Sequence, residues 1–161
     1  MLEIRELPTV EAYERLLPAY RDEDVILFEE GLIGFPSARR FILMESGSLS
    51  PFRIFKCVDD PTIGFLVLDP RVVIQTYERS IPQESWRSLE VVDKSDRLTL
   101  VISIIGKNPQ ESTANFQAPL LINHRKMLGK QLILTSARYS VTQKLLPTLQ
   151  RSAGRHAASV V

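Results

Sequence analysis

The chain has 161 residues, 44% hydrophobic and 24% charged, with a formal net charge of +1. That is enough chain for one domain with a real core, at a composition ordinary for a globular fold. No apolar run approaches the roughly 20 residues a membrane span needs. The start, Met1-Leu2-Glu3-Ile4-Arg5-Glu6, has acids where a signal peptide would be basic and then apolar, so a cytoplasmic protein is expected. A single Cys57 excludes an internal disulfide and a cysteine-based metal cluster. Charge is unevenly spread. Residues 1–30 carry nine acids and three bases, or −6, whereas residues 101–161 carry eight bases and Glu111 alone, or +7. The two ends either neutralise one another or offer an acidic face and a basic end to partners. The bases are scattered, with only Phe116 and Tyr139 among them as stacking groups, so nucleic acid is not an expected direct partner.

In chain order, Thr9–Leu17 predicts a short helix capped by Thr9 and ended by Pro18. Val25–Phe28 reads as a strand. It runs into Glu29-Glu30 and the loop Gly31-Leu32-Ile33-Gly34-Phe35-Pro36, whose two glycines call for special backbone angles. Arg40–Met44 and Phe52–Val58 resume extended patterns, then Asp59-Asp60-Pro61 turns the chain into Gly64–Leu68, which ends at Asp69-Pro70. Pro82–Leu89 predicts a second short helix, with proline and Glu84 in its first turn. Leu98–Ile105, Thr113–Asn123, Gln131–Leu134 and Ala137–Val141 are further strands. The predicted fold is mainly β: an antiparallel β-barrel-like single domain over residues 1–147 with one or two short helices. Residues 148–161, rich in Ser, Ala, Gly and Arg, are expected to be a flexible tail.

Thr113–Asn123 is the most informative segment. Ala114, Phe116, Ala118, Leu120 and Ile122 share one parity and are apolar; Thr113, Asn115, Gln117, Pro119, Leu121 and Asn123 share the other and are mostly polar. Pro119 donates no ladder hydrogen bond, which places the strand at a sheet edge or beside a bulge. Asn115 and Asn123 either grip another chain from that edge or close the turns at its ends.

Catalytic chemistry finds little purchase. The only histidines are His124 and His156, and Cys57 in an alternating strand is expected in the core. No local spacing supplies three metal ligands, and Gly31–Gly34 and Gly106-Lys107 lack the pattern of a phosphate loop. The pairs Glu29-Glu30 and Asp59-Asp60 splay apart on a strand or turn, and are read as surface charge. Tyr77 and Trp86 are expected to be buried as a lid or staple rather than to form a binding platform. No cofactor is expected, and a binding module is favoured over an enzyme.

Several motifs, in this order and spacing, resemble the flagellar assembly factor FliW family. They are Phe28-Glu29-Glu30-Gly31-Leu32-Ile33-Gly34-Phe35-Pro36, Arg40-Phe41, Pro61-Thr62-Ile63-Gly64-Phe65-Leu66-Val67 with Asp69-Pro70, Thr113–Asn123, Gln131–Leu134 and Tyr139. The resemblance covers about residues 24 to 146; residues 1–21 and the chain after Pro147 depart from it. It implies a β-barrel-like fold, no enzymatic activity, and two protein partners in the cytoplasm: newly made flagellin, and the translational repressor CsrA, antagonised allosterically when flagellin has been exported. Within that frame an acidic surface of Glu29, Glu30, Asp59, Asp60 and Asp69 is expected to meet CsrA. Asn115 and Asn123, beside Phe35 and Leu121, are expected to meet flagellin by strand addition or in a groove. The competing expectations are a small β-barrel holding a flavin or other small ligand, and a plain RNA-binding barrel.

Overall fold

The computed structural model describes residues 2–3, 17–45, 47–106, 109–136 and 138–145. All but the last residue of the predicted helix Thr9–Leu17, the expected tail and His156 lie outside these. Ten strands are present: β1 Leu2–Glu3, β2 Ile26–Phe28, β3 Arg40–Glu45, β4 Arg53–Cys57, β5 Gly64–Leu68, β6 Arg97–Ile104, β7 Thr113–Ala114, β8 Leu120–Asn123, β9 Leu128–Gln131 and β10 Gln143–Lys144. Seven of them close a ring in the order β2-β3-β4-β5-β6-β8-β9 and back to β2. The predicted barrel is therefore present, with one modification. Its pairings are antiparallel except β2 with β9 and the outlying β1 with β3, which are parallel and make the sheet mixed. Closing the ring removes the bare edges that an open sheet of this length would expose.

Three clusters of buried side chains explain why so many strands lose their polar alternation. The barrel interior is filled by Phe28, Phe41 and Phe55, with Val67, Leu100, Leu120 and Ile122 around them. Phe41 and Phe55 stack at 4.3 Å, and Phe28 meets each edge-on at 5.5 Å. Outside β3, β4 and β5, Ile42, Met44, Ile54 and Leu66 pack against Leu17, Tyr20 and Val25. On the opposite flank Val101, Phe116 and Leu121 pack under Tyr77, Trp86, Leu89 and Tyr139. Each such side chain contributes about 1.5–3 kcal/mol of burial. Tyr77 and Trp86 form the lid expected of them, 0% and 2% exposed.

That lid is built from short 3-10 helices, and no α-helix occurs among the described residues. The predicted helix from Pro82 is a 3-10 helix over Gln83–Leu89 with Pro82 as its N-cap, ended by Glu90 at φ 58°. Burial pushes the Tyr77 hydroxyl far above the ordinary phenol range, with the Tyr139 hydroxyl adding to the shift, and Tyr77 donates to the Phe116 carbonyl. Gly129 in β9 faces the ring of Phe28, where an added Cβ would lie 2.5 Å from ring carbons. Glycine lets the closing strand approach a fully buried aromatic.

Candidate partner-binding surface

The segment Thr113–Asn123 pairs with β6 at both ends, through Thr113–Ala114 and Leu120–Asn123, but in different registers. Ala114 faces Ser103, whereas Leu120 faces Leu100. Residues 115–119 therefore stand opposite only two residues of β6, a bulge of three extra residues. Asn115 builds it: its Oδ1 accepts from the amides of Gln117 at 3.1 Å and Ala118 at 3.0 Å. The Phe116 amide donates to Ser140, and the carbonyls of Gln117 and Pro119 accept from Leu134 and Leu132. The bulge reading of Pro119 holds, because a proline here forfeits no ladder bond. The edge reading does not. On the far side of the segment β10 pairs with β7 and β9 with β8, so the strand is interior.

Burial corrects two of the expected contact residues. Asn123 is 1% exposed, its Nδ2 donating to the Leu89 carbonyl at 2.8 Å and its Oδ1 accepting from the amides of Arg125 and Lys126. It closes the β8–β9 turn and ties it to the 3-10 lid. Leu121 is 0% exposed beneath that lid. Neither reaches a partner without unfolding, because the lid adds a second buried face that period-two patterning does not encode.

The acidic residues divide between the two ends of the barrel. Glu29 and Glu30 follow β2, and Asp59 and Asp60 join β4 to β5, all at the end where β6 and β9 finish; this end is called upper here. Asp69 follows β5 at the opposite end. There it caps the 3-10 helix Pro70–Val72 and holds Arg71 at 2.6 Å, so it does not belong to the same surface. Asp59 is paired with Arg40 at 3.0 Å. Asp60 is exposed, and its carboxyl is held below the usual range by the Thr62 hydroxyl and amide. Glu29 and Glu30 are exposed and make no ion pair with a described residue. Burial lowers the Lys130 ammonium below its ordinary range, opposed by the charge of Glu30 nearby. One acidic residue from the start of the chain thus does face a basic one from its end.

The upper end also gathers exposed aliphatic groups. Residues 32–35 form a tight turn closed by paired Leu32 and Phe35 backbone bonds, with Gly34 at φ 85° in the position that excludes most side chains. This projects Ile33, whose amide is pinned to Gln131 Oε1 at 2.8 Å. Phe35 rests edge-on against Phe65 at 5.7 Å and stays 41% exposed. Ile104, Ile105, Ile133 and Val141 are also exposed. At the opposite mouth a depression of about 370 Å³ is floored by Ile26, Leu43 and Leu98 and rimmed by charges of both signs. Of the catalytic candidates, Cys57 is buried in the barrel wall and a His124 ring nitrogen pairs with the Ser95 carbonyl. No group of three His, Cys, Asp or Glu side chains that could hold a metal occurs among the described residues, and none of their helices could cross a membrane.

Phe35 and the turns Glu29-Glu30 and Asp59-Asp60 are exposed, as the sequence reading expected; the exposure of Ile33, Ile104 and Val141 at the same end was not expected. A run of aliphatic residues ending a strand reads as core unless the strand is known to outrun its neighbours.

A closed barrel with a packed interior, a lid on one flank and aliphatic groups at one mouth defines a small β-barrel protein. The family described as FliW protein matches residues 16–145. A flagellar assembly factor FliW of Caldanaerobacter subterraneus subsp. tengcongensis is 37% identical over 134 residues, covering 83% of this chain and 89% of that protein. The Geobacillus kaustophilus protein of the same description is 34% identical over 126 residues, covering 78% and 87%. A crystal structure of the flagellar assembly factor FliW superposes with a TM-score of 0.74 at 32% identity, over 81% of this chain and 91% of that one. The chain belongs to the FliW family.

Proposed function

We propose that this protein is a non-enzymatic, cytoplasmic flagellar assembly factor. It holds flagellin and, when free of it, binds CsrA and antagonises that repressor allosterically, without touching nucleic acid or membrane itself. The observation that carries this reading is the gathering of Ile33, Phe35, Ile104 and Val141 at one mouth of a barrel in this family. Exposed aliphatic groups on a rigid rim cost solubility unless a partner covers them. The acidic turns bearing Glu29, Glu30 and Asp60 offer a second, electrostatic surface suited to a basic RNA-binding protein. The small-ligand alternative draws no support from an interior filled by three phenylalanines. Purified protein is mixed with flagellin, with CsrA and with both, then resolved by size-exclusion chromatography. Two separate binary complexes, with flagellin displacing CsrA, are expected; a stable ternary complex, or no complex with either, would overturn the reading.

A further inference from the structure

The upper mouth contains a cavity of about 200 Å³ whose lining includes Ile33, Ile102, Ile104, Val141, Asn115 and Gln131, and no charged side chain. The two amides differ in what they have left to give. Gln131 has both ends engaged, accepting from Ile33 through Oε1 and donating to the Ala118 carbonyl through Nε2 at 3.1 Å. Asn115 is half used. Its Oδ1 holds the bulge, while its Nδ2 makes no hydrogen bond to a described residue. The bulge therefore fixes an idle donor at the wall of an apolar cavity, ready to bind without loss of side-chain freedom.

The cavity is smaller than the roughly 300–1,000 Å³ of small-molecule sites. Its rim, by contrast, extends well outside it, with Ile104 68%, Ile33 56% and Val141 53% exposed. An occupant that satisfies both facts inserts one side chain and continues across the rim, which is how a peptide anchor binds. We propose that the upper mouth receives a branched aliphatic side chain from a segment of a protein partner, whose neighbouring main-chain carbonyl accepts a hydrogen bond from Asn115 Nδ2. This rests on the reading that flagellin is a partner and assigns the mouth to flagellin. The uncharged lining gives a basic repressor nothing to pair with, and the acidic turns do.

Asn115→Asp separates the two roles of that side chain, because a carboxylate keeps both acceptor bonds of the bulge and loses the donor. Ile104→Ser, at an exposed position, removes rim contact without touching the bulge. Flagellin and CsrA affinities are measured by titration calorimetry, and thermal midpoints by circular dichroism. Both variants are expected to melt close to the unaltered protein, to lose about tenfold or more in flagellin affinity, and to keep their affinity for CsrA. If Asn115→Asp unfolds, Ile104→Ser decides alone. Unaltered flagellin binding by the variants, or a loss confined to CsrA, overturns the cavity proposal and leaves the assembly-factor reading standing. Failure of the unaltered protein to bind flagellin overturns both.

Discussion

Asn123 makes three hydrogen bonds and presents almost no surface, so its contribution is to stability. Asn123→Ala leaves the Leu89 carbonyl and two turn amides without their partner inside a covered site, at a cost of about 2–4 kcal/mol. Urea unfolding followed by tryptophan fluorescence checks this; the single Trp86 lies in the same lid. A loss below about 1 kcal/mol would contradict the assignment. Asn115 behaves differently with one oxygen committed and one nitrogen idle. The sequence offered both readings for each asparagine, turn closure and partner contact, and could not divide them. What divides them is whether a second layer covers the residue, and that layer is supplied by Tyr77–Leu89, more than thirty positions away in the chain.

At the scale of elements, turn carboxylates give the fold a defined acid response. Hydrogen bonds from the Thr62 side chain and backbone lower Asp60, and the Ser95 backbone and side chain lower Asp93, both from 3.8. A folded value below the unfolded one means the stabilisation is complete above about pH 4 and is lost as pH falls through the folded value. Asp60→Ala should therefore lower the urea midpoint at neutral pH, with the effect shrinking as pH falls below the ordinary carboxylate range; a pH-independent effect would show that the charge is irrelevant. Strand β9 carries another prediction. In Gly129→Ala the added methyl meets the buried Phe28 ring, and the overpacking costs about 1–3 kcal/mol by chemical denaturation. Strand positions from Ile26 to Leu68 were readable from alternation and turn residues. The boundaries of β9 and β10 were not, because Leu132–Leu134 bond to an irregular bulge and resemble a strand without being one.

Across the whole molecule, the acidic turns Glu29-Glu30 and Asp59-Asp60 and the exposed aliphatic groups lie at the same end of the barrel but on different residues. Replacing Glu29 and Glu30 together by lysine should weaken CsrA association and flatten its salt dependence while leaving flagellin binding intact. Titrations at low and high salt check this, and unchanged affinity at low salt would remove the acidic turns from the proposed CsrA interface. The family and the β-barrel architecture were legible because motifs and turn residues are local. Ring closure was not, since nothing in β2 or β9 alone announces their parallel pairing.

That pairing joins Leu27 and Phe28 to Leu128 and Gly129, partners made ~100 residues apart on the ribosome. At roughly 5–20 residues per second, β2 waits about 5–20 s for its neighbour to be synthesised. Until β9 emerges, the inner phenylalanines lack one wall and β2 keeps a bare edge. The barrel thus closes only once β9 has been synthesised, and until then the nascent chain is a half-walled sheet with an unpaired edge.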